Sequence, residues 1–125
     1  MSICVAVTDN KEGAAALEAA GVEAAQLNVP LVAVNLTATE LDTSSIAPEV
    51  HHEVVMPRGP SDLDEVDQVL QVIEDRPEIT RLVVGVRRRS PLGKVVLGSI
   101  AQRLILEATV PVLSVKASED QGSRA

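Results

Sequence analysis

The chain has 125 residues, of which 46% are hydrophobic and 23% are charged. A chain of this length forms one domain and buries about two-thirds of the surface that its unfolded form exposes, so its core needs no disulfide or metal. It contains no Phe, Trp or Tyr. Without aromatic rings it lacks the side chains on which single-stranded nucleic acid usually stacks. We therefore expect no nucleic acid among its partners.

Cysteine content and hydropathy indicate a cytoplasmic protein. Cys4 is the only cysteine, so no disulfide can form within the chain. No basic leader precedes the first apolar run, and no apolar run approaches the roughly 20 residues of a membrane span. We expect a cytoplasmic protein that does not bind a membrane.

The net charge of −7 conceals an asymmetry along the chain. Residues 1–80 hold 15 acidic and 3 basic side chains, whereas residues 81–125 hold 8 basic and 3 acidic ones. From Arg81 to Arg103 there are six bases and no acid. A local basic segment on an acidic protein can hold a small anion. The alternative is that these bases are solvated or pair with the acidic surface.

The first part of the chain predicts two strands on either side of a helix. Residues 3–7 form a short β-branched apolar run, which is typical of a strand buried on both faces. Asn10 is a favourable N-cap for a helix over residues 11–27, which carries seven alanines. Residues 31–34 predict the second buried strand.

The middle of the chain predicts a loop, a short strand and the clearest helix. Residues 38–50 lack periodicity and predict mostly loop, and residues 53–56 predict the third strand. Ser61 and Asp64 have the spacing of a capping box at the start of a helix that ends at Pro77. The apolar residues on one face of this helix recur at helical intervals: Leu63, Val66, Val69, Leu70 and Ile73.

The last part predicts strand four over residues 81–85, a 13-residue link over residues 86–98 and a helix over residues 99–107. The fifth strand runs from Val110 to Val115. Strands that alternate with helices predict a parallel sheet with helices on both faces.

Right-handed crossovers give this sheet a doubly wound, Rossmann-like α/β fold with five strands in the order 3-2-1-4-5. Ligands of such folds bind in the crevice at the carboxyl ends of the strands. We expect one domain over residues 1–116, followed by a polar tail over residues 117–125.

The residues that follow the strands are therefore the candidate site. Thr8 and Asp9 follow the first strand, Leu36 follows the second, and Gly85 ends the fourth. The link over residues 86–98 is unusually long, because connections between a strand and a helix usually run about two to six residues.

This link has the features of an anion site. It contains Arg87 and Arg88, and it ends on Gly98 and Ser99 at a helix start. Free backbone amides, the helix dipole and the Ser99 hydroxyl all favour an anion there. The alternatives are that Gly98 and Ser99 only begin a helix and that Asp9 only caps one.

Two common phosphate motifs are excluded. A P-loop needs Ser or Thr after Gly-Lys, but Gly93 and Lys94 are followed by Val95. The dinucleotide motif GxGxxG is absent after the first strand, where the chain has the sequence Thr-Asp-Asn-Lys-Glu-Gly.

Residues 83–99 have the sequence Val-Val-Gly-Val-Arg-Arg-Arg-Ser-Pro-Leu-Gly-Lys-Val-Val-Leu-Gly-Ser, and residues 111–116 have Pro-Val-Leu-Ser-Val-Lys. Together they resemble the C-terminal signature of the universal stress protein family. Residues 5–9 and the Ala-rich helix match the opening of that family. The resemblance implies an adenine nucleotide alpha hydrolase-like fold. It covers almost the whole chain in element order and is weakest over residues 37–60, where a helix is shortened or lost.

The nucleotide-binding branch of this family carries the motif Gly-x2-Gly-x9-Gly-Ser/Thr. Gly85, Gly98 and Ser99 match it, but Arg88 stands in place of the second glycine. By resemblance, Thr8 and Asp9 meet the nucleotide, with Asp9 near the ribose hydroxyls or a metal. The nucleotide-binding set that the resemblance implies, with each residue's role where one is given, is Thr8, Asp9, Leu36 (backbone to adenine), Val84, Gly85 (against the ribose), Arg87 and Arg88 (charge partners of phosphate), Gly98 and Ser99 (phosphate), and Ile100.

The resemblance supports a universal stress protein that binds an adenine nucleotide, with ATP as the first expectation, AMP or cAMP as alternatives and Mg²⁺ as a companion of ATP. The second hypothesis is a dimeric interaction module that no longer binds nucleotide, because Arg88 fills the position of a glycine. A slow ATP hydrolase ranks third, since nothing beyond Asp9 offers a general base. We assign no catalytic residue and no metal ligand.

The fifth strand, from Val110 to Val115, is an apolar edge strand in the predicted order. Such an edge favours pairing with a copy of itself. Members of the family typically pair through this strand, so the resemblance also implies a homodimer.

Overall fold

A computed structural model of the chain describes residues 1–57, 64–89 and 94–118. The elements within these ranges are, in chain order, β1 Ser2–Val7, α1 Lys11–Leu27, β2 Leu31–Asn35, β3 His52–Val55, α2 Glu65–Asp75, β4 Ile79–Arg89, β5 Lys94–Val96, α3 Ser99–Glu107 and β6 Val112–Ser118.

The strands form one six-stranded sheet. Five of them pair in parallel in the order β3-β2-β1-β4-β6, which confirms the predicted order because β6 is the fifth predicted strand. Every residue of β1 and β2 is buried, as expected of strands covered on both faces. β6 includes Ala117 and Ser118, so the first two residues of the predicted tail belong to the sheet.

The sixth strand, β5, changes the prediction for residues 86–98. β4 continues to Arg89, and β5 returns antiparallel to it. Arg87 and Arg88 pair with both β5 and β6, so these two strands lie on opposite edges of β4. By the same argument Leu82 and Val83 place β1 on the edge opposite β6, and hence on the same edge as β5. The described part of the predicted link is thus largely the antiparallel pair of β4 and β5, here called the β-hairpin, which extends β4 beyond the end of β1; residues 90–93 of the link lie outside the described residues.

Helix α1 covers one face of the sheet. Asn10 caps it as predicted, because its side-chain oxygen accepts the Gly13 N–H at 2.9 Å. Asn28 ends it in a left-handed conformation (φ 56°, ψ 50°), which allows its N–H to reach the last helical carbonyls. Small residues let the helix approach closely, and the first core cluster therefore combines the strands with Ala16, Leu17, Ala20 and Ala24.

Helices α2 and α3 cover the other face. The predicted helix start at Ser61 lies outside the described residues, as does Leu63, and the described helix begins at Glu65 with Asp64 as its N-cap. Arg103 of α3 reaches the Asp64 carboxylate at 2.5 Å and joins the two helices. The second core cluster includes residues of both helices, namely Val66, Val69, Ile73 and Leu104.

Residues 36–51 contain no helix or strand, in agreement with the predicted loop. Ile46 and Val50 are buried in the first core cluster, so this loop covers the part of the sheet that α1 leaves open. Within the described ranges, no helix is both long enough and apolar enough to cross a membrane.

Gly85 sets the distance between α1 and β4. A Cβ atom at Gly85 would lie 2.0 Å from the Glu12 carbonyl oxygen and 2.6 Å from its carbon. Both atoms belong to the helix backbone, so no rotamer change can relieve the overlap. The first turn of α1 can rest on β4 only because residue 85 has no side chain.

We expect Gly85→Ala to destabilise the protein by about 1–3 kcal/mol and to lower its Tm by roughly 4–12 °C, because α1 must move away from β4. The matched control is Gly21→Ala, where the new Cβ would lie 3.6 Å from Ile46, an ordinary contact distance. That change should stabilise α1 by about 0.5–1 kcal/mol. Circular dichroism melts of both variants test this contrast, and equal effects would contradict it.

Candidate functional site

The carboxyl ends of β1 and β2 lie beside β4, which continues past them to Arg89 and so does not end at Gly85 as predicted. Thr8 and Asp9 follow β1, and Leu36 follows β2, where its N–H donates to the Val7 carbonyl at 2.9 Å. Gly85 lies in β4, two residues beyond Val83, which pairs with β1. The structure thus brings together the predicted residues from β1, β2 and β4.

The turn after β1 is organised by Asn10. The Thr8 hydroxyl donates to the Asn10 side-chain oxygen at 2.6 Å, and the Asn10 N–H donates to the Thr8 carbonyl at 2.9 Å. Gly13 is required here because a Cβ would lie 1.9 Å from the Thr8 oxygen. The sequence analysis missed Gly13, although a glycine in the first turn of an otherwise Ala-rich helix is a signal of close approach.

Asp9 does not cap α1, because Asn10 has that role. The Asp9 side chain is exposed and has no hydrogen-bond or ion-pair partner among the described residues. Its carboxylate is therefore available to accept hydrogen bonds from a ligand hydroxyl or to face a cation.

Arg87 lies on the α1 face of the sheet. Its Nε donates to the Glu12 carboxylate at 3.0 Å, and the Glu12 side chain is only 13% exposed. Helix α3 packs on the opposite face, so Arg87 is not grouped with Gly98 and Ser99. The positive charge of Arg87, which was predicted to pair with a phosphate, instead pairs with Glu12 and holds α1 on β4.

Val84 and Arg88 both lie within strand β4. The Val84 side chain is 2% exposed and belongs to the second core cluster, so it offers no side-chain contact to a ligand. The backbone of Arg88 pairs with Val95 on one side and Ser118 on the other. Arg88, which stands at the second glycine position of the motif in the predicted loop, is here part of strand β4.

The N-terminus of α3 is open. Gly98 is its N-cap and supplies no side-chain hydrogen bond, and an added Cβ would meet no atom within 4 Å. Gly98 and Ser99 are exposed, and Ile100 is half-buried. The first N–H groups of a helix have no partner within the helix, so this end can donate to an anion.

The other described helices differ from α3 in this respect. Asn10 and Asp64 cap α1 and α2 through their side chains, and both helices carry acidic residues in the first turn. α3 has neither a side-chain cap nor an acid in its first turn. Among the described helix starts, that of α3 is the most favourable for a negative charge.

Asn35, the last residue of β2, is a buried polar side chain. Its oxygen accepts from the N–H and the hydroxyl of Thr37 at 2.9 and 2.6 Å, and its amide donates to the Thr39 carbonyl at 2.9 Å. These bonds hold the turn that carries Leu36. Beside this turn lies an open cavity of about 630 Å³ whose lining includes Ala38, Leu41, Val54 and Met56.

No group of three or more His, Cys, Asp and Glu side chains that could hold a metal occurs in the part of the chain that the structure describes. Asp9 is the exposed carboxylate at the strand ends, and one carboxylate is too few ligands for a dedicated site.

Comparison with known proteins finds a family that resembles part of the chain. The model of the universal stress protein family matches residues 61–116, which contain Gly85, Arg88, Gly98 and Ser99. A universal stress protein of Mycolicibacterium smegmatis (strain ATCC 700084 / mc(2)155) is 48% identical over 59 residues, which are 47% of this chain and 45% of that protein. The match thus spans less than half of that relative's length.

Solved structures of universal stress proteins share the fold. One from Archaeoglobus fulgidus is 27% identical to this chain and superimposes with a TM-score of 0.69; the match covers 93% of this chain and 98% of that one. One from the same organism, in complex with dAMP, is 23% identical with a TM-score of 0.65 over the same shares of the two chains. A third, in complex with cAMP, is 17% identical with a TM-score of 0.59 over 93% of this chain and 96% of that one.

The sequence motif, the order of the strands and these matches agree: residues 61–116 match the universal stress protein family, and the chain is similar to members of that family in sequence and in fold.

Proposed function

We propose that this protein is a stress-response factor that binds an adenine nucleotide at the carboxyl ends of β1 and β2, beside Gly85 of β4. The observation that carries the proposal is the open N-terminus of α3 at Gly98, which is the place for the phosphate. From the resemblance to the nucleotide-binding motif, ATP is the first ligand to test, with AMP and cAMP as the alternatives.

Gly98 supports this proposal because packing does not explain it. The other motif glycine, Gly85, is required by the backbone of α1, whereas a side chain at Gly98 would point into open space. A phosphate against Gly98 would accept the first N–H groups of α3 and the Ser99 hydroxyl.

The remaining contacts follow from the strand ends. The exposed carboxylate of Asp9 can accept hydrogen bonds from the ribose hydroxyls, and the backbone of Leu36 can meet the adenine edge. The cavity beside the turn that follows β2 is lined by polar residues together with Ala38, Leu41, Val54 and Met56, and these apolar residues suit a purine ring. When ATP is the ligand, Mg²⁺ would be held chiefly by its phosphates, with Asp9 as the nearby acid.

The relatives add independent support. The universal stress proteins solved with dAMP and with cAMP hold ligands that share an adenine base. For the present chain we propose binding without turnover, since Asp9 is the only candidate base at the strand ends among the residues that the structure describes.

Gly98→Asp tests the phosphate position without unfolding the protein. The new carboxylate caps α3, which favours the helix by roughly 0.5–1 kcal/mol, but it occupies the phosphate position with a like charge. We expect the Tm to be kept or raised and the nucleotide affinity to fall at least about tenfold, which corresponds to about 1.4 kcal/mol. Isothermal titration with ATP, AMP and cAMP measures the affinity.

Gly98→Ser is the matched control, because it caps the helix without adding charge and should keep most of the affinity. Since the chain has no aromatic residue, absorbance near 260 nm also reports co-purified nucleotide directly. If Gly98→Asp binds as tightly as the native chain, the phosphate lies elsewhere.

The β-hairpin of β4 and β5 favours a second candidate, an interaction module that binds no nucleotide. The backbone of Arg87 and Arg88 pairs on both sides within the sheet, so it is not free to wrap a phosphate. This candidate requires that the native protein carries no 260 nm chromophore and gives no heat with any of the three nucleotides, with or without Mg²⁺.

We further propose a homodimer that forms through the fifth predicted strand, from Val110 to Val115. Three strands have a free edge in the described sheet: β3, the three-residue β5, and β6. β3 has only four residues and exposes His52 and Glu53, whereas β6 has seven residues and exposes Leu113. A long apolar edge pairs more readily than a short charged one.

Leu113→Asp should convert the dimer into a monomer, because two carboxylates would be buried in the new interface. The control is Val54→Asp on β3, which has nearly the same exposure (37% against 39%) and should remain dimeric. Multi-angle light scattering measures both masses. A dimer that survives Leu113→Asp but dissociates with Val54→Asp would place the interface on β3.

We also propose that the protein acts in the cytoplasm. Cys4 is fully buried, and this burial raises the pKa of its thiol to about 12, so it stays a neutral core residue. Proteins of oxidising compartments are commonly stabilised by disulfides, and a single buried thiol cannot form one within the chain.

A further inference from the structure

Met56 is one of two methionines in the chain and follows Val55, the last residue of β3. It is 50% exposed, and it lines the open cavity beside the turn that follows β2. A thioether in this place is accessible to small solutes from the solvent, and it would also contact a ligand that fills the cavity.

The Met56 sulfur is held by a buried amide. Asn35 is 2% exposed, and its amide nitrogen donates to the Thr39 carbonyl at 2.9 Å and to the Met56 Sδ at 3.4 Å. Its oxygen accepts from the N–H and the hydroxyl of Thr37. Both N–H groups and both lone pairs of the amide are therefore used. Three of these four bonds lie within the turn that carries Leu36, and the fourth connects this turn to the segment after β3.

The chain has three sulfur atoms, and those of Met1 and Met56 are open to oxidation. Cys4 is fully buried as a neutral thiol, whereas the reactive form of cysteine is the thiolate. A thioether needs no deprotonation before it is oxidised to a sulfoxide. Met1 is 56% exposed and makes no side-chain hydrogen bond among the described residues. It is therefore a matched reference for Met56 within the same chain.

We propose that Met56 is a reversible oxidation site for hydroperoxides, at which the Asn35 amide directs the oxidant to one side of the sulfur. In this step a sulfur lone pair attacks one oxygen of hydrogen peroxide, an S–O bond forms and the O–O bond breaks. The proton of the transferred oxygen moves to the departing oxygen, which leaves as water. The sulfur loses two electrons and the peroxide gains them, so the products are methionine sulfoxide and water.

The Asn35 contact selects the stereochemistry of the product. A thioether sulfur has two lone pairs, and attack by one or the other gives opposite sulfoxide epimers. The Asn35 N–H lies on one of them, and the other has no donor in the part of the chain that the structure describes. The folded protein should therefore form mainly one epimer at Met56 and nearly equal amounts of both at Met1.

The sulfoxide then acts on the turn after β2. Its oxygen is a stronger acceptor than a thioether sulfur, so the Asn35 amide rotates toward it and its bonds to Thr37 weaken. At the same time one wall of the cavity becomes polar. The consequence for the nucleotide rests on the proposed function. We expect the affinity for ATP to fall about three- to tenfold, because the contact between the sulfur and the adenine ring is lost.

Epimer analysis tests the site without any nucleotide. After brief treatment with hydrogen peroxide, trypsin separates Met1, in residues 1–11, from Met56, in residues 12–58. Each peptide is then reduced with one or the other of the two methionine sulfoxide reductases, which are specific for opposite epimers. One enzyme should restore nearly all of Met56, whereas each should restore about half of Met1. The native chain oxidised in urea is the control and should give equal epimers at both positions.

Hydrogen exchange tests the coupling to the turn. The Thr37 N–H donates to Asn35 and should exchange several-fold faster after oxidation. The Ser44 N–H is the control, because it donates to Asp42 in the same loop at the same distance of 2.9 Å and should be unaffected.

Two variants test the effect on the nucleotide. Met56→Leu has no sulfur to oxidise at this position, so its affinity for ATP should be the same before and after peroxide, although Met1 and Cys4 are still present. Met56→Gln carries an amide oxygen near the place of the sulfoxide oxygen and should lower the affinity without peroxide. Isothermal titration measures the affinity of each protein.

A single epimer at Met56, faster exchange of the Thr37 N–H and a loss of affinity that Met56→Leu does not show support the inference. Equal epimers at Met56 in the folded protein, or an unchanged exchange rate of Thr37, overturn it. Native protein that binds ATP equally well before and after oxidation overturns the effect on the nucleotide. Native protein that binds no adenine nucleotide overturns the proposed function, and the epimer and exchange measurements then decide this inference on their own.

Discussion

The contact between the first turn of α1 and β4 is the constraint on which the rest of the structure depends. Two glycines make it possible, since a Cβ at Gly13 would overlap the Thr8 carbonyl and one at Gly85 would overlap the Glu12 carbonyl. The Arg87–Glu12 ion pair then closes over the same turn. Because backbone atoms contact backbone atoms, α1 can shift very little relative to β4. The small residues along the helix continue this close packing over the sheet.

This contact determines which polar groups at the carboxyl ends of the strands are paired within the protein and which remain available to a ligand. It uses Asn10 as the cap of α1 and Arg87 as the partner of Glu12, so neither is left for a ligand. Asp9 and the start of α3 are not used in this way, and they are the groups through which we propose that a nucleotide binds.

Much of the fold could be predicted because it depends on local chemistry. Strands β1 and β2 are continuous apolar runs, Asn10 caps a helix that ends at Asn28, and the parallel strand order follows from the alternation of elements. The segment after Gly85 could not be predicted in the same way. Its arginines and valines are compatible with a loop or a strand, and the hairpin depends on backbone pairing with β4 on one side and on β6 on the other.

The sequence by itself determined the doubly wound class, the family motif and the places where ligands of such folds bind, because periodicity, caps and motif spacing are properties of neighbouring residues. Only the tertiary structure decided what each motif residue does. Gly85 and Gly98 are equivalent in a motif, yet one supports a helix and the other borders open space. Likewise Arg87 binds Glu12, which is 75 positions away in the chain. Such roles depend on which distant backbone lies within a few ångströms, and that distance is a property of the packed sheet and helices.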